Sequence, residues 1–121
     1  MLERRRFVRI TERRRFVRIP ENSQISYEIL SKPKIGNSIT KDISQGGIRF
    51  FIYEFIPKNS LLRIRLTIKK IPFSFEAPVK VIWIEEDPRH SRYEVGVEFT
   101  NISQEATDHL VSYITNILTW K

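Results

Sequence analysis

From Ile25 to Phe99 the apolar residues recur mainly at every second position, and that period leaves few folds open. Ile25, Tyr27 and Ile29 alternate with polar neighbours, as do Ile48, Phe50 and Ile52. Leu62, Ile64, Leu66 and Ile68 alternate with Arg63, Arg65 and Thr67, and Tyr93, Val95, Val97 and Phe99 repeat the pattern. In a strand, successive side chains point to opposite faces, so each run reads as a β-strand with one face buried. A further strand is expected over Gly36 to Asp42. Phe73 and Phe75 open a stretch that Val79, Val81 and Trp83 continue or restart, with Pro78 marking a bulge, bend or edge. Ser31-Lys32-Pro33 breaks the first strand, and three further breaks follow. Gln45-Gly46-Gly47 reads as a turn in which two glycines supply positive φ. Pro57 to Ser60 is a second turn, and Glu85 to Arg92 a charged loop.

After Phe99 the period changes. Ser103 is suited to cap a helix, and Glu105 and Asp108 follow early, where the helix dipole favours negative charge. Ala106, Leu110, Ile114, Ile117 and Leu118 fall at spacings of three and four, which predicts a helix over about 104–119. Several short strands and one terminal helix make an all-β protein. A small antiparallel β-barrel sealed by a C-terminal α-helix satisfies the pattern.

The chain of 121 residues is long enough to bury a core without staples, and it contains no cysteine. Disulfides and thiolate metal sites are therefore excluded, and a cytoplasmic setting is expected. Met1-Leu2 runs at once into charge, so no secretory leader is expected, and no apolar run is long enough for a membrane helix. His90 and His109 stand apart from one another, and no metal site is expected. No nucleophile–base pair or phosphate-cradling loop is visible, so an enzyme is not expected.

The net charge of +7 is concentrated at one end. Residues 1–19 carry eight arginines against Glu3 and Glu12, or +6; the other 102 residues carry +1. A basic, apolar-poor segment of this kind reads as a flexible arm seeking an anionic partner. Its cations are all arginine, whose planar fork matches phosphate and the O6/N7 edge of guanine. The arm also repeats itself: ERRRFVRI occurs at 3–10 and again at 12–19. An offset of nine sends the copies to opposite faces of a strand, and to opposite sides of a helix at about 100° per residue. One regular element cannot aim both at one ligand. The copy nearer the strands is expected to work, and residues 1–12 form a dispensable extension to a domain over 13–121.

Arg14 and Arg18, four apart, share a side in either a strand or a helix. The bland alternative is a solvated basic tail. Asp42-Ile43-Ser44-Gln45-Gly46-Gly47 supplies a carboxylate that can accept from guanine N–H donors, a hydroxyl, and a glycine that lets a flat base approach. The bland alternative there is an ordinary hairpin turn with local side-chain bonds.

Taken together the two segments resemble the PilZ domain family. Arg14-Arg15-Phe16-Val17-Arg18, preceded by Arg13, is similar to its Arg-x-x-x-Arg motif, and Asp42 to Gly47 is similar to its Asp-x-Ser-x-x-Gly motif. Val79-Lys80-Val81-Ile82-Trp83 and Tyr93 to Phe99 resemble two of its later strands. The resemblance covers about residues 13–121. It implies a six-stranded antiparallel barrel with a C-terminal helix and an arm that wraps its ligand. It implies cyclic di-GMP as that ligand, held by Arg14 and Arg18 with Arg13 assisting, by Asp42 and Ser44, and by a turn that Gly47 shapes. Arg13 leans towards a stacked pair of nucleotides, which leaves room for a ligand-linked homodimer. The implied function is a receptor whose change of shape is read by a downstream protein. Two other readings remain open: a PilZ-like interaction module that binds no nucleotide, and a nucleic-acid binder using the basic arm. Asp42 disfavours the latter, since it would repel a phosphate backbone.

Overall fold

The computed structural model describes residues 16–32 and 34–119. It contains β1 (Arg18–Pro20), β2 (Gln24–Ile29), β3 (Lys34–Ser44), β4 (Gly47–Ile52), β5 (Leu61–Ile68), β6 (Phe73–Asp87), a short 3-10 turn (Pro88–His90), β7 (Arg92–Phe99) and helix α1 (Gln104–Thr119). All neighbouring strands are antiparallel. Pairing runs β3–β2–β5–β6–β7–β4 and returns from β4 to β3, which closes a six-stranded barrel. Closure removes the open edges that would otherwise template pairing with another chain.

The alternating side chains do what the period demands. Ile25, Tyr27 and Ile29 of β2, Leu62, Ile64, Leu66 and Ile68 of β5, and Val79 and Val81 of β6 all point into one buried core. Burying each such side chain contributes roughly 1.5–3 kcal/mol. Phe50 is fully buried, whereas Phe73 and Phe99 are only half-buried against the same core. Trp83 is half-buried too. Its indole lies over Gly96 on β7, where an added Cβ would come within 2.5 Å of Cε2.

Three features depart from expectation. Pro78 does not interrupt its strand: β6 runs unbroken through it, in register with Arg63 of β5, and the bulge falls instead between Val81 and Trp83. The stretch from Glu85 to Arg92 is not a loop. Strands β6 and β7 continue to Asp87 and from Arg92, and the connection is one 3-10 turn closed by Ser91 in the left-handed region. Asp87 draws this turn together, accepting from Arg92 Nε at 3.0 Å and lying 3.1 Å from His90 Nδ1. Finally, the end of the arm is itself a strand. β1 pairs with Asp42–Ser44 of β3, beside the stretch that β2 pairs, and Ile19 is buried.

Between β1 and β2 the chain leaves the ladder, and buried Thr40 repairs the gap. Its hydroxyl accepts from Ser23 N at 2.9 Å and donates to the Glu21 carbonyl. Helix α1 reaches the same place. Ser103 Oγ caps it by accepting from Ala106 N at 3.1 Å. Ala106, Leu110, Tyr113 and Ile114 enter the core, whereas Leu118 stays exposed. The exposed His109 ring packs on Phe73 at 3.9 Å between centroids. Tyr113 donates its hydroxyl to Glu21 Oε1 at 2.7 Å, tying the helix to the strand break.

Burial, and then the bond to Glu21, raise the Tyr113 pKa above the ordinary tyrosine value. A raised folded-state pKa means that this contribution to stability is complete below the unfolded value near 10 and is lost as pH climbs through the folded value. Tyr113→Phe should cost about 1–2 kcal/mol at neutral pH. The gap between the two proteins in urea melts should narrow above about pH 10. A gap that stays constant into alkali would show that the phenol is not held in this way.

Candidate functional site

The two-residue connection Gln45-Gly46 fixes which residues meet across the hairpin of β3 and β4. It sets Ile43 opposite Ile48 and Asp42 opposite Arg49. On the other side of β3, β1 sets Pro20 opposite Asp42 and Arg18 opposite Ser44. One carboxylate therefore receives a cation from each flank. Arg18 Nη1 donates to Asp42 Oδ1 at 2.6 Å, and Arg49 Nε donates to Oδ2 at 2.6 Å, with Arg49 Nη2 on the same oxygen.

Burial differs sharply across this cluster. The Asp42 side chain is 7% exposed, but Arg18 is 39% exposed and Arg49 33%. The carboxylate thus lies under two guanidinium groups whose outer faces reach solvent. The bond to Asp42 holds the Arg49 pKa above the ordinary arginine value. Arg49 Nη1 also lies 3.5 Å from Glu94 Oε2 on β7, and Glu94 accepts from Lys41 Nζ at 3.1 Å. The ion pairs therefore run from β1 across β3 and β4 to β7.

Ser44 is buried, and its hydroxyl organises the turn. It accepts from Gly46 N and Gly47 N, each at 3.1 Å, and lies 3.3 Å from the Gly47 carbonyl as donor. Neither Gly46 nor Gly47 adopts positive φ, which corrects the expectation that the turn needs left-handed glycines. Space is the reason instead. A Cβ on Gly47 would run into the Val97 carbonyl oxygen and come within 3.1 Å of Glu98 Cα on β7. A Cβ on Gly46 would come within 2.6 Å of the Phe16 ring, so Phe16 anchors the end of the arm on the turn.

Of the residues singled out from sequence, the structure brings Arg18, Asp42, Ser44 and Gly47 together. Arg13 and Arg14 lie outside the described residues. A surface groove of about 610 Å³ lies elsewhere, lined by Gln24, Ser26, Asn37, Ile39, Arg65 and Thr67 among others. Among the described residues no group of three His, Asp or Glu could hold a metal, and no helix is long and apolar enough to cross a membrane.

The PilZ domain family matches residues 12–116, a span that includes both motifs and the whole barrel. The chain belongs to the PilZ domain family. Its PilZ fold is similar to the Bacillus subtilis inhibitor of motility MotI/DgrA, with a TM-score of 0.74 and 17% identity over 88% of this chain and 52% of that one. It is similar to Escherichia coli YcgR in complex with c-di-GMP, with a TM-score of 0.73 and 18% identity over 88% and 46% of the two chains. It is also similar to the PilZ domain of YcgR with c-di-GMP from Escherichia coli, with a TM-score of 0.66 and 18% identity over 86% and 90%. At such identities the likeness is one of fold. The chain spans about half the length of the first two structures. No curated protein matches the chain in sequence.

Sequence reasoning missed Arg49 and Glu94. The first was within reach: once Gln45-Gly46 is taken as the whole turn, counting back three residues and forward three places Asp42 against Arg49. Glu94 had no local signal, since its position opposite Phe51 depends on the pairing of β4 with β7.

Proposed function

We propose that this PilZ domain is a receptor for cyclic di-GMP and not an enzyme. The observation that carries the proposal is the contact of Arg18 with Asp42 at 2.6 Å. It joins the end of the arginine-rich arm to the hairpin motif at a partly open point. In this reading Arg18 and Arg14 present forks to the phosphates and guanine edges, with Arg13 assisting. Asp42 accepts from guanine N–H groups, while Ser44 and Gly47 hold the turn that positions it. The ligand binds on an open surface and is enclosed by the arm, with residues 13–121 as the working domain and 1–12 as a dispensable extension. The similarity in fold to YcgR, solved with c-di-GMP, supports the choice of ligand. Closure of the arm changes the surface that a downstream protein reads, in the cytoplasm. Stacked nucleotides would link two copies.

Isothermal titration with cyclic di-GMP tests this, with GTP and a short DNA duplex as controls. Saturable heat from cyclic di-GMP alone is expected. Binding of DNA with steep salt dependence and no heat from the cyclic dinucleotide would favour the basic-arm reading instead. Arg18→Ala should weaken binding by about 1.5–3 kcal/mol, or tenfold and more. Arg5→Ala and Arg9→Ala should leave affinity within about twofold, well under 1 kcal/mol. Equal losses from both copies of the repeat would assign a role to the distal one.

A further inference from the structure

We infer that Arg49 is a positioning residue that divides the two oxygens of Asp42 into a fixed one and an exchangeable one. The inference rests on the reading of the site as a cyclic di-GMP receptor, but its evidence is separate. Arg49 addresses Oδ2, donating from Nε and bringing Nη2 onto the same oxygen. Among the described residues, Arg18 holds Oδ1, through one nitrogen. The two arginines also differ in how they are anchored. Arg49 stands in the closed barrel on β4, braced by Glu94, which Lys41 braces in turn. Arg18 stands on the three-residue strand β1 where the arm meets the barrel.

This asymmetry has a chemical consequence. Arg18 cannot turn to a phosphate or a guanine edge without releasing Oδ1, and a carboxylate 7% exposed would then lose its counter-charge if Arg18 were its sole partner. Removing one partner of such a pair is costly because the other charge stays desolvated. With Arg49 in place, Asp42 remains paired and oriented while Oδ1 is freed. A guanine N–H donor can then take the position that the Arg18 guanidinium leaves. Arg49 thus lowers the cost of the exchange and aims the vacated lone pair, without touching the ligand.

The test is titration of the full chain with cyclic di-GMP, for the wild type and for Arg49→Gln, Arg49→Lys and Arg65→Gln. Arg49→Gln should weaken binding about tenfold or more, in line with the loss of a charge-assisted contact. Arg49→Lys, which keeps the charge, should recover part of that loss. Arg65→Gln removes a cation from an exposed pair with Glu76 and should bind like the wild type. The deciding measurement is Arg49→Gln in an Asp42→Asn background. An amide needs no counter-charge, so the second substitution should change affinity by no more than about twofold there. A further tenfold loss in that background would mean that Arg49 meets the ligand directly and would overturn the positioning role. Wild-type affinity in Arg49→Gln alone would overturn it as well. Absence of binding by the wild type would instead remove the receptor reading on which the inference stands. Thermal melts of each variant show whether a loss of affinity follows a loss of fold.

Discussion

Gly47→Ala should destabilise the barrel by about 3 kcal/mol or more, a large share of the margin that holds a domain of this size together. The cause is packing, since the Gly47 φ is negative and any residue could adopt it. Gly47 pairs with Glu98 of β7, and a methyl group there would overlap the Val97 carbonyl and crowd Glu98 Cα at 3.1 Å. Both are backbone atoms of a strand paired on its other edge with β6, so neither can yield without displacing two ladders. Gly46 offers the contrast. Its added methyl meets the Phe16 side chain at the end of the arm, which can turn away. Gly46→Ala should therefore cost about 1 kcal/mol or less while loosening Phe16 from the turn. Urea midpoints of the two variants check this, and equal midpoints would show that β7 does not approach as closely as described. Because Gly47 N also donates to Ser44, loss of the fit at Gly47 should spread to the turn that holds Asp42.

Much of this architecture could be read from local pattern, because barrel strands with one buried face must alternate. The helix was legible from Ser103 to Thr119 for the same reason, and the capping bond from Ser103 is present. Tyr113 was not among the residues counted on the apolar face of the helix. Its ring is buried, and its polar tip finds Glu21, 92 residues away in sequence. The exceptions share this long-range origin. Pro78 reads as a bulge, bend or edge, yet its carbonyl accepts from Thr100 N at 3.1 Å, and β6 passes through it. Trp83 reads as core, but the bulge beside it turns the indole onto Gly96. At the site, the motif residues were visible and the partnership among them was not. Arg18 meets Asp42 only because β1 adds to β3, a pairing that three residues of arginine-rich arm do not announce.

Asp42→Ala should be the most damaging single change to ligand binding, at about 2–5 kcal/mol, or at least thirtyfold in affinity. Three losses coincide in it. The acceptor proposed for guanine disappears, Arg18 loses the contact that fixes its position on β1, and Arg49 loses the carboxylate that both its Nε and Nη2 address. Two guanidinium groups are then left side by side with Glu94 as the remaining acid beside Arg49. The same change should have the opposite sign for a different ligand. A nucleic-acid backbone offers phosphates and no need for a carboxylate, so removing Asp42 raises the local positive potential and should leave DNA binding unchanged or stronger at low salt. Measuring both ligands on one variant separates the two readings of the basic arm more sharply than either titration alone. A protein whose affinity for cyclic di-GMP survives Asp42→Ala cannot be using this hairpin as its guanine acceptor. One that loses DNA and cyclic di-GMP together has lost its fold rather than a contact, which its melting curve would reveal.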